Sequence, residues 1–239
     1  MDTIKIRKKN TLLIAHRGLS GLEKENTIAS FIAASNRSYF GLECDIHKTK
    51  DGKYVVCHDD DLKRVSGESV IIKDNDVKTL QSVLLIDNFD NEKKSYYFIP
   101  TLKEYIEICK KYDKHCIIEF KGDFPKNDVL EVIDEIKSLD YLEKVIFISF
   151  YPNPLIYTRE ALPAQDIQLL IFEYSDKVYE FCKKYKLGLD SRFDLLNKDI
   201  IDKWHSMNQR VNAWTVNDKK EAKRLIDLGI DYITTNILE

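Results

Sequence analysis

Short runs of β-branched and other apolar residues alternate with amphipathic segments along the whole chain, a pattern that predicts parallel strands joined by crossover helices. The runs fall at 11–15, 40–46, 115–120, 144–150, 167–172, 187–190, 210–216 and 231–235. Between them, spacings such as Leu102, Tyr105, Ile106 and Cys109, or Leu225, Ile226 and Leu228 ahead of Gly229, put apolar side chains on one helical face. Thr101 with Glu104 and Asp128 with Glu131 have capping-box spacing, while Asn26, Ser175 and Asn217 are candidate N-caps. Eight strands and seven helices predict an α/β fold, a TIM-type (β/α)8 barrel whose last helix is replaced by the short tail 236–239. An open doubly wound sheet is the alternative, but no G-x-G-x-x-G turn follows the first strand.

One stretch breaks the rhythm. Residues 47–99 hold a hairpin signal at Asp51-Gly52 and then a polar run rich in Asp and Lys, which reads as a small insertion in the second βα loop of a single barrel domain spanning 1–239. Such loops lie on the catalytic face of a barrel, so the insertion either caps the site or is a solvated excursion. No repeat, low-complexity tract or Pro/Gly/Ser-rich linker marks a second domain.

Composition narrows the function classes. The 239 residues are 44% hydrophobic, enough for a sizeable core, and 37 basic against 40 acidic residues leave a net charge of −3. No basic stretch interleaved with aromatics suggests a nucleic-acid groove, and no apolar run approaches a membrane span. The apolar run 12–15 after Lys5, Arg7, Lys8 and Lys9 is too short for the core of a signal peptide. Cysteines 44, 57, 109, 116 and 182 form no C-x-x-C pair, so neither a disulfide framework nor a zinc site is expected, and the chain reads as a reduced, cytoplasmic protein.

The candidate chemistry sits where predicted strands end. Glu43 and Asp45 lie two apart on one strand and so project to the same side, with Cys44 facing the helices. If Glu119 points inward from the neighbouring strand, three carboxylates converge, and a divalent cation is the simplest neutraliser; oxygen ligands favour Ca²⁺ or Mg²⁺, with Mn²⁺ a further candidate. The competing reading is three unrelated acids paired with lysines. His16 ends the first strand and His58 the hairpin, so the two imidazoles can act as base and acid on opposite sides of a phosphorus centre. His47, His115 and His205 read as structural or solvent-facing. Arg17 and Lys121 can hold non-bridging phosphate oxygens or pair with the acids beside them. Trp214 is either an aromatic plate for a small alcohol or core.

Taken in order, these fragments resemble the glycerophosphodiester phosphodiesterase family. The resemblance is carried by Ala15-His16-Arg17-Gly18, Glu25-Asn26-Thr27, Glu43-x-Asp45-Ile46-His47-x-Thr49-Lys50-Asp51-Gly52, His58-Asp59 with Leu62 and Arg64, Ile99-Pro100-Thr101-Leu102, Ile118-Glu119-Phe120-Lys121, Ser149-Phe150, Trp214-Thr215-Val216-Asn217 and Gly229-Ile230-Asp231. It implies a TIM-like barrel with an inserted subdomain that hydrolyses small-molecule glycerophosphodiesters to glycerol 3-phosphate and an alcohol with a divalent cation. By that likeness His16 and His58 are the acid/base pair, Glu43, Asp45 and Glu119 bind the metal, and Arg17 and Lys121 hold phosphate. Lys24 stands where the family usually has proline, a change expected to be harmless, and Tyr232 and Asn236 replace a usual glycine and aspartate. Two other functions compete: a phospholipase D-like lyase that forms a cyclic phosphate, and a barrel that binds a phosphoryl ligand without turnover.

Overall fold

A computed structural model describes residues 2–239. Strand β1 (Leu12–Ala15) leads through helix α1 (Ile28–Ser35) to β2 (Gly41–Lys48), where the insertion begins. The insertion comprises β3 (Tyr54–Val56), which folds back antiparallel on β2, and the short helices α2 (Lys63–Ser66) and α3 (Val77–Ser82). The alternation then resumes with α4 (Leu102–Lys111), β4 (His115–Phe120), α5 (Lys126–Ser138), β5 (Val145–Ser149), α6 (Pro152–Ala161) and β6 (Asp166–Ile171). It ends with α7 (Asp176–Tyr185), β7 (Gly188–Arg192), α8 (Lys198–Ser206), β8 (Val211–Trp214), α9 (Lys219–Leu228) and β9 (Tyr232–Thr235). All neighbours in the ring are parallel, and β1 pairs with both β2 and β9, so the sheet closes into the expected barrel.

Two apolar layers hold it. Residues pointing out of the strands, including Leu13, Leu42, Cys44, Ile118 and Phe147, pack with Tyr105, Ile106, Val132 and Ile136 of the helices. Those pointing in, Ile14, Ile117, Ile146, Ile148, Leu170 and Tyr232, form a separate cluster inside the ring. Gly41 belongs to this arrangement because a side chain there would run into Ile117 and the backbone of His115. Burying one such aliphatic or aromatic side chain is worth about 1.5–3 kcal/mol against about 0–1 for an exposed ion pair, so the layers and not the surface charges decide the fold.

Helix starts agree in part with the sequence. Thr101 and Glu104 form a reciprocal capping box and Ser175 caps α7. Three expectations are corrected. Thr27, not Asn26, caps α1, because Asn26 turns into the left-handed region (φ 55°) and gives its side chain to Asp45. Asp218, not Asn217, caps α9, since the Asn217 side chain instead accepts from Thr235 and the Asn236 backbone. Asp128 and Glu131 form no capping box; α5 starts earlier, after Pro125, and both acids accept from Lys48.

Candidate active site

Strand register, not chance proximity, gathers the acids. In the parallel β2–β4 pair Asp45 lies opposite Glu119 and Glu43 opposite Ile117, so all three carboxylates enter the same end of the barrel, with one ligand atom from each lying within 4.8 Å of the others. At the adjoining exit of β1 the chain turns through Arg17 at φ 54°, a region costly for a residue with a side chain. That turn is held by Glu43 Oε2, which accepts the Arg17 backbone N–H at 2.7 Å, and by Asn26 N–H and Ser30 Oγ, which donate to the Arg17 carbonyl.

Crowding three acids in a buried place separates their ionisation. Burial, reinforced by the charges of Asp45 and Glu119, pushes the Glu43 carboxyl well above the usual carboxylate range. Burial and Asp45 push Glu119 up to about 8. Burial opposes ionisation of Asp45 too, but Arg17, Lys121 and His58, with a hydrogen bond from Asn26, outweigh it and hold that group at about 2. Lys121 Nζ lies 2.9 Å from Glu119 and 3.5 Å from Asp45, while Arg17 Nε lies 3.4 Å from Asp45. Asp45 Oδ1 is nevertheless buried without a hydrogen-bond partner. A buried all-oxygen trio with an unfilled acceptor fits a hard divalent cation better than it fits the two basic side chains alone.

The imidazoles differ in their settings. His16 is half-buried, and Asn236 Oδ1 lies 2.7 Å from its Nδ1, which fixes the proton on Nδ1 and leaves Nε2 as the open nitrogen. Burial and the nearby Arg17 lower its pKa to about 4, so it is neutral at neutral pH. His58, on the loop after β3, is one-third exposed and has the carboxylate of Asp59 2.6 Å from its Nδ1.

His16, Arg17, Glu43, His58, Glu119, Lys121 and Trp214 line one cavity of about 650 Å³, and Asp45 sits against it through Lys121 and Arg17. The predicted residues are thus brought together without exception. A slightly larger hollow of about 720 Å³ at the other end of the barrel, around Phe40, His115, Asp166 and Tyr232, gathers no such set of acids and imidazoles, so chemistry and not size locates the site. Trp214 packs on the interior cluster and stands edge-on to the stacked rings of Phe150 and Phe172 along the cavity wall. Of the other histidines, His115 stacks on Phe40, His205 meets Asp231, and His47 Nε2 lies 3.3 Å from the His58 carbonyl.

Sequence reasoning missed the partners. Asn236 looked like a departure from a pattern, and nothing in its neighbourhood connects it to His16, 220 positions away. Asp190 also went unnoticed, although it lies at the cavity with a buried, unpartnered Oδ1; a carboxyl closing the run 187–190 was the available signal.

Similarity to known proteins agrees with this geometry. A glycerophosphodiester phosphodiesterase of Bacillus altitudinis is 26% identical over 234 residues, covering 95% of this chain and 94% of that protein. One from Caldanaerobacter subterraneus is 29% identical over 229 residues, covering 95% and 94%. The crystal structure of a glycerophosphodiester phosphodiesterase from Parabacteroides distasonis superposes with a TM-score of 0.80 at 27% identity, covering 96% of this chain and 94% of that one. An Oleispira antarctica phosphodiesterase, solved with its product sn-glycerol-3-phosphate, shares the fold at a TM-score of 0.86 and 23% identity, covering 94% and 92%. Residues 16–239 match the Glycerophosphoryl diester phosphodiesterase family, so the chain belongs to that family of phosphodiester hydrolases.

Proposed function

We propose that this protein hydrolyses glycerophosphodiesters to sn-glycerol 3-phosphate and an alcohol, with His16 and His58 as the acid/base pair and Glu43, Asp45 and Glu119 as the ligands of a divalent cation, Mg²⁺ or Ca²⁺. One observation carries the reading: two imidazoles with pinned Nδ1 atoms open on the same cavity as the buried acid trio. A bound cation would supply charge neutralisation to the phosphodiester and its transition state.

The remaining work falls to the chain itself. Arg17 presents a planar fork and Lys121 a point charge to the non-bridging oxygens. Their present pairing with Asp45 and Glu119 keeps both cations at the mouth of the barrel, where a phosphate exchanges for carboxylates at little cost in position. The partners of the imidazoles separate their roles. His16 leans on a neutral amide and stays unprotonated, so it takes the proton from the attacking oxygen as the new P–O bond forms. His58 has a carboxylate at Nδ1 that orients the ring with Nε2 toward the cavity, and as an imidazolium it delivers its Nε2 proton to the alkoxide as the old P–O bond breaks.

The test is release of sn-glycerol 3-phosphate from glycerophosphocholine with Mg²⁺, Ca²⁺ or Mn²⁺ and with excess EDTA. Turnover that chelation stops and back-addition restores supports the reading. Binding without turnover under every metal rejects it, and a cyclic phosphate that accumulates unhydrolysed points to the lyase chemistry instead.

A further inference from the structure

The insertion that carries His58 is packed around its own apolar cluster, which includes Val55, Leu62, Leu80, Leu85 and Ile99, apart from the layers of the barrel. Beyond the β2–β3 pairing, it is tied to the barrel on the site side by polar contacts from three consecutive residues of the loop between β1 and α1. Glu23 accepts from Tyr97 Oη at 2.6 Å, and Lys24, only 5% exposed, donates to Asn88 Oδ1 at 3.0 Å. Glu25 receives the fork of Arg64, with Nη2 on Oε1 at 2.8 Å and Nη1 on Oε2 at 2.9 Å.

The last of these ties reaches the reacting groups at both ends. Arg64 Nε donates to Asp59 Oδ2 at 2.6 Å, and Asp59 Oδ1 lies 2.6 Å from His58 Nδ1. On the other side Glu25 Oε1, which accepts from Arg64, also accepts from Arg17 Nη1 at 2.8 Å. An unbroken chain of contacts therefore runs from His58 through Asp59, Arg64 and Glu25 to Arg17, alternating in charge from Asp59 onward and crossing once from insertion to barrel.

We propose that Glu25, Arg64 and Asp59 are positioning residues: a charged bridge that holds the imidazole of His58 in register with the guanidinium of Arg17 across the boundary between the two bodies. This rests on the assignment of His58 and Arg17 to turnover made above. The chemistry of each link suits the task. Arg64 uses its Nε on one carboxylate and its two terminal nitrogens on the other, so its plane fixes the angle between Asp59 and Glu25; a lysine carries the charge but has no plane. Glu25 is 15% exposed at its side chain, which leaves water little room to compete for the shared Oε1. Asp59 fixes the His58 proton on Nδ1 and turns Nε2 to the cavity. Lys24 adds a tether of its own beside this bridge, so the residue standing in place of the usual proline is engaged with the insertion.

Arg64→Lys and Asp59→Asn test the bridge, read by steady-state kinetics on glycerophosphocholine, by thermal melting and by the ring ¹⁵N shifts of His58 in histidine-labelled protein, assigned with His58→Gln. A loss of register predicts a kcat lowered roughly 10- to 100-fold, with KM within about twofold and the melting temperature of Arg64→Lys unchanged. The His58 Nδ1 signal should move as its hydrogen bond to Asp59 loosens, and methylguanidinium added to Arg64→Gly should restore part of kcat. Ring signals that stay as in wild type overturn the proposal whatever the rates do, and so does a normal kcat with altered signals. Full turnover in His58→Ala is a different failure, because it rejects the assignment of His58 while the ring signals still report on the bridge.

Discussion

The barrel and its insertion each contribute one imidazole to the same cavity, yet they are built on different principles. The barrel is periodic: inward and outward residues alternate along every strand, and its chemistry follows from parity and register, as with Glu43, Asp45 and Glu119. The insertion is aperiodic, with short helices and a ten-residue apolar cluster assembled from positions spread between Val55 and Ile99. His16 is accordingly held by one neutral amide, whereas His58 is held through a chain of charged side chains. A site shared between a rigid frame and a smaller body needs its precision supplied by polar ties where apolar packing ends.

The largest effects test the chemistry common to both bodies. His16→Ala and His58→Ala should each lower kcat by about 10²–10⁴-fold in the glycerol 3-phosphate assay while far-UV circular dichroism stays as in wild type. A His58→Ala protein with normal turnover would remove the insertion from the mechanism.

Core substitutions come next and separate the two bodies. Phe147→Ala in the barrel should cost about 3–5 kcal/mol of global stability in denaturant titrations. Leu80→Ala in the insertion should instead open that segment locally, seen as faster hydrogen exchange over residues 55–99 with the barrel amides unchanged. Equal exchange in both regions would show that they unfold as one body.

Cation binding should follow in size. At a free Ca²⁺ concentration about 100 times its Kd, stability should rise by about 2.7 kcal/mol, and Glu119→Gln should abolish the rise. A rise that survives this substitution would place the cation elsewhere.

A pH effect belongs to the barrel alone. Burial, with the charge of Glu119, pushes the Asp190 carboxyl well above its ordinary range. Its contribution to stability is therefore full below the unfolded value of about 3.9 and is lost as pH rises through the folded value. Asp190→Asn should match wild type near pH 4 and be the more stable protein at pH 8; a constant difference between the two at all pH values would contradict that environment. The smallest effect is Thr101→Ala, which removes half of a capping box and should cost about 1 kcal/mol.

These expectations also mark what the sequence could express. Strand parity made the acid trio legible, because two carboxylates at i and i+2 have one geometric meaning on a strand. His16 and His58 were legible as strand-end residues. The architecture of the insertion was not, since a cluster drawn from Val55, Leu62, Leu80 and Ile99 has neither a period of 2 nor one of 3.6. Asn26 and Asn217 were mistaken for caps because each precedes a residue that caps equally well, Thr27 and Asp218, and only the distant demands of Asp45 and Asn236 decide between them. The start of α5 was hidden because Pro125 opens a helix without a side-chain cap. The bonds from Asn236 to His16 and from Arg64 to Glu25 were beyond reach, being contacts that exist only once the barrel has closed and the insertion has docked.

The central claim is that imidazoles from two bodies act as one catalytic unit, and a double-substitution cycle tests it most directly. Groups that act in the same step are strongly non-additive. The protein carrying both His16→Ala and His58→Ala should be about as slow as the slower single variant, whereas losses that multiply, or a second histidine whose removal changes nothing, would contradict the account.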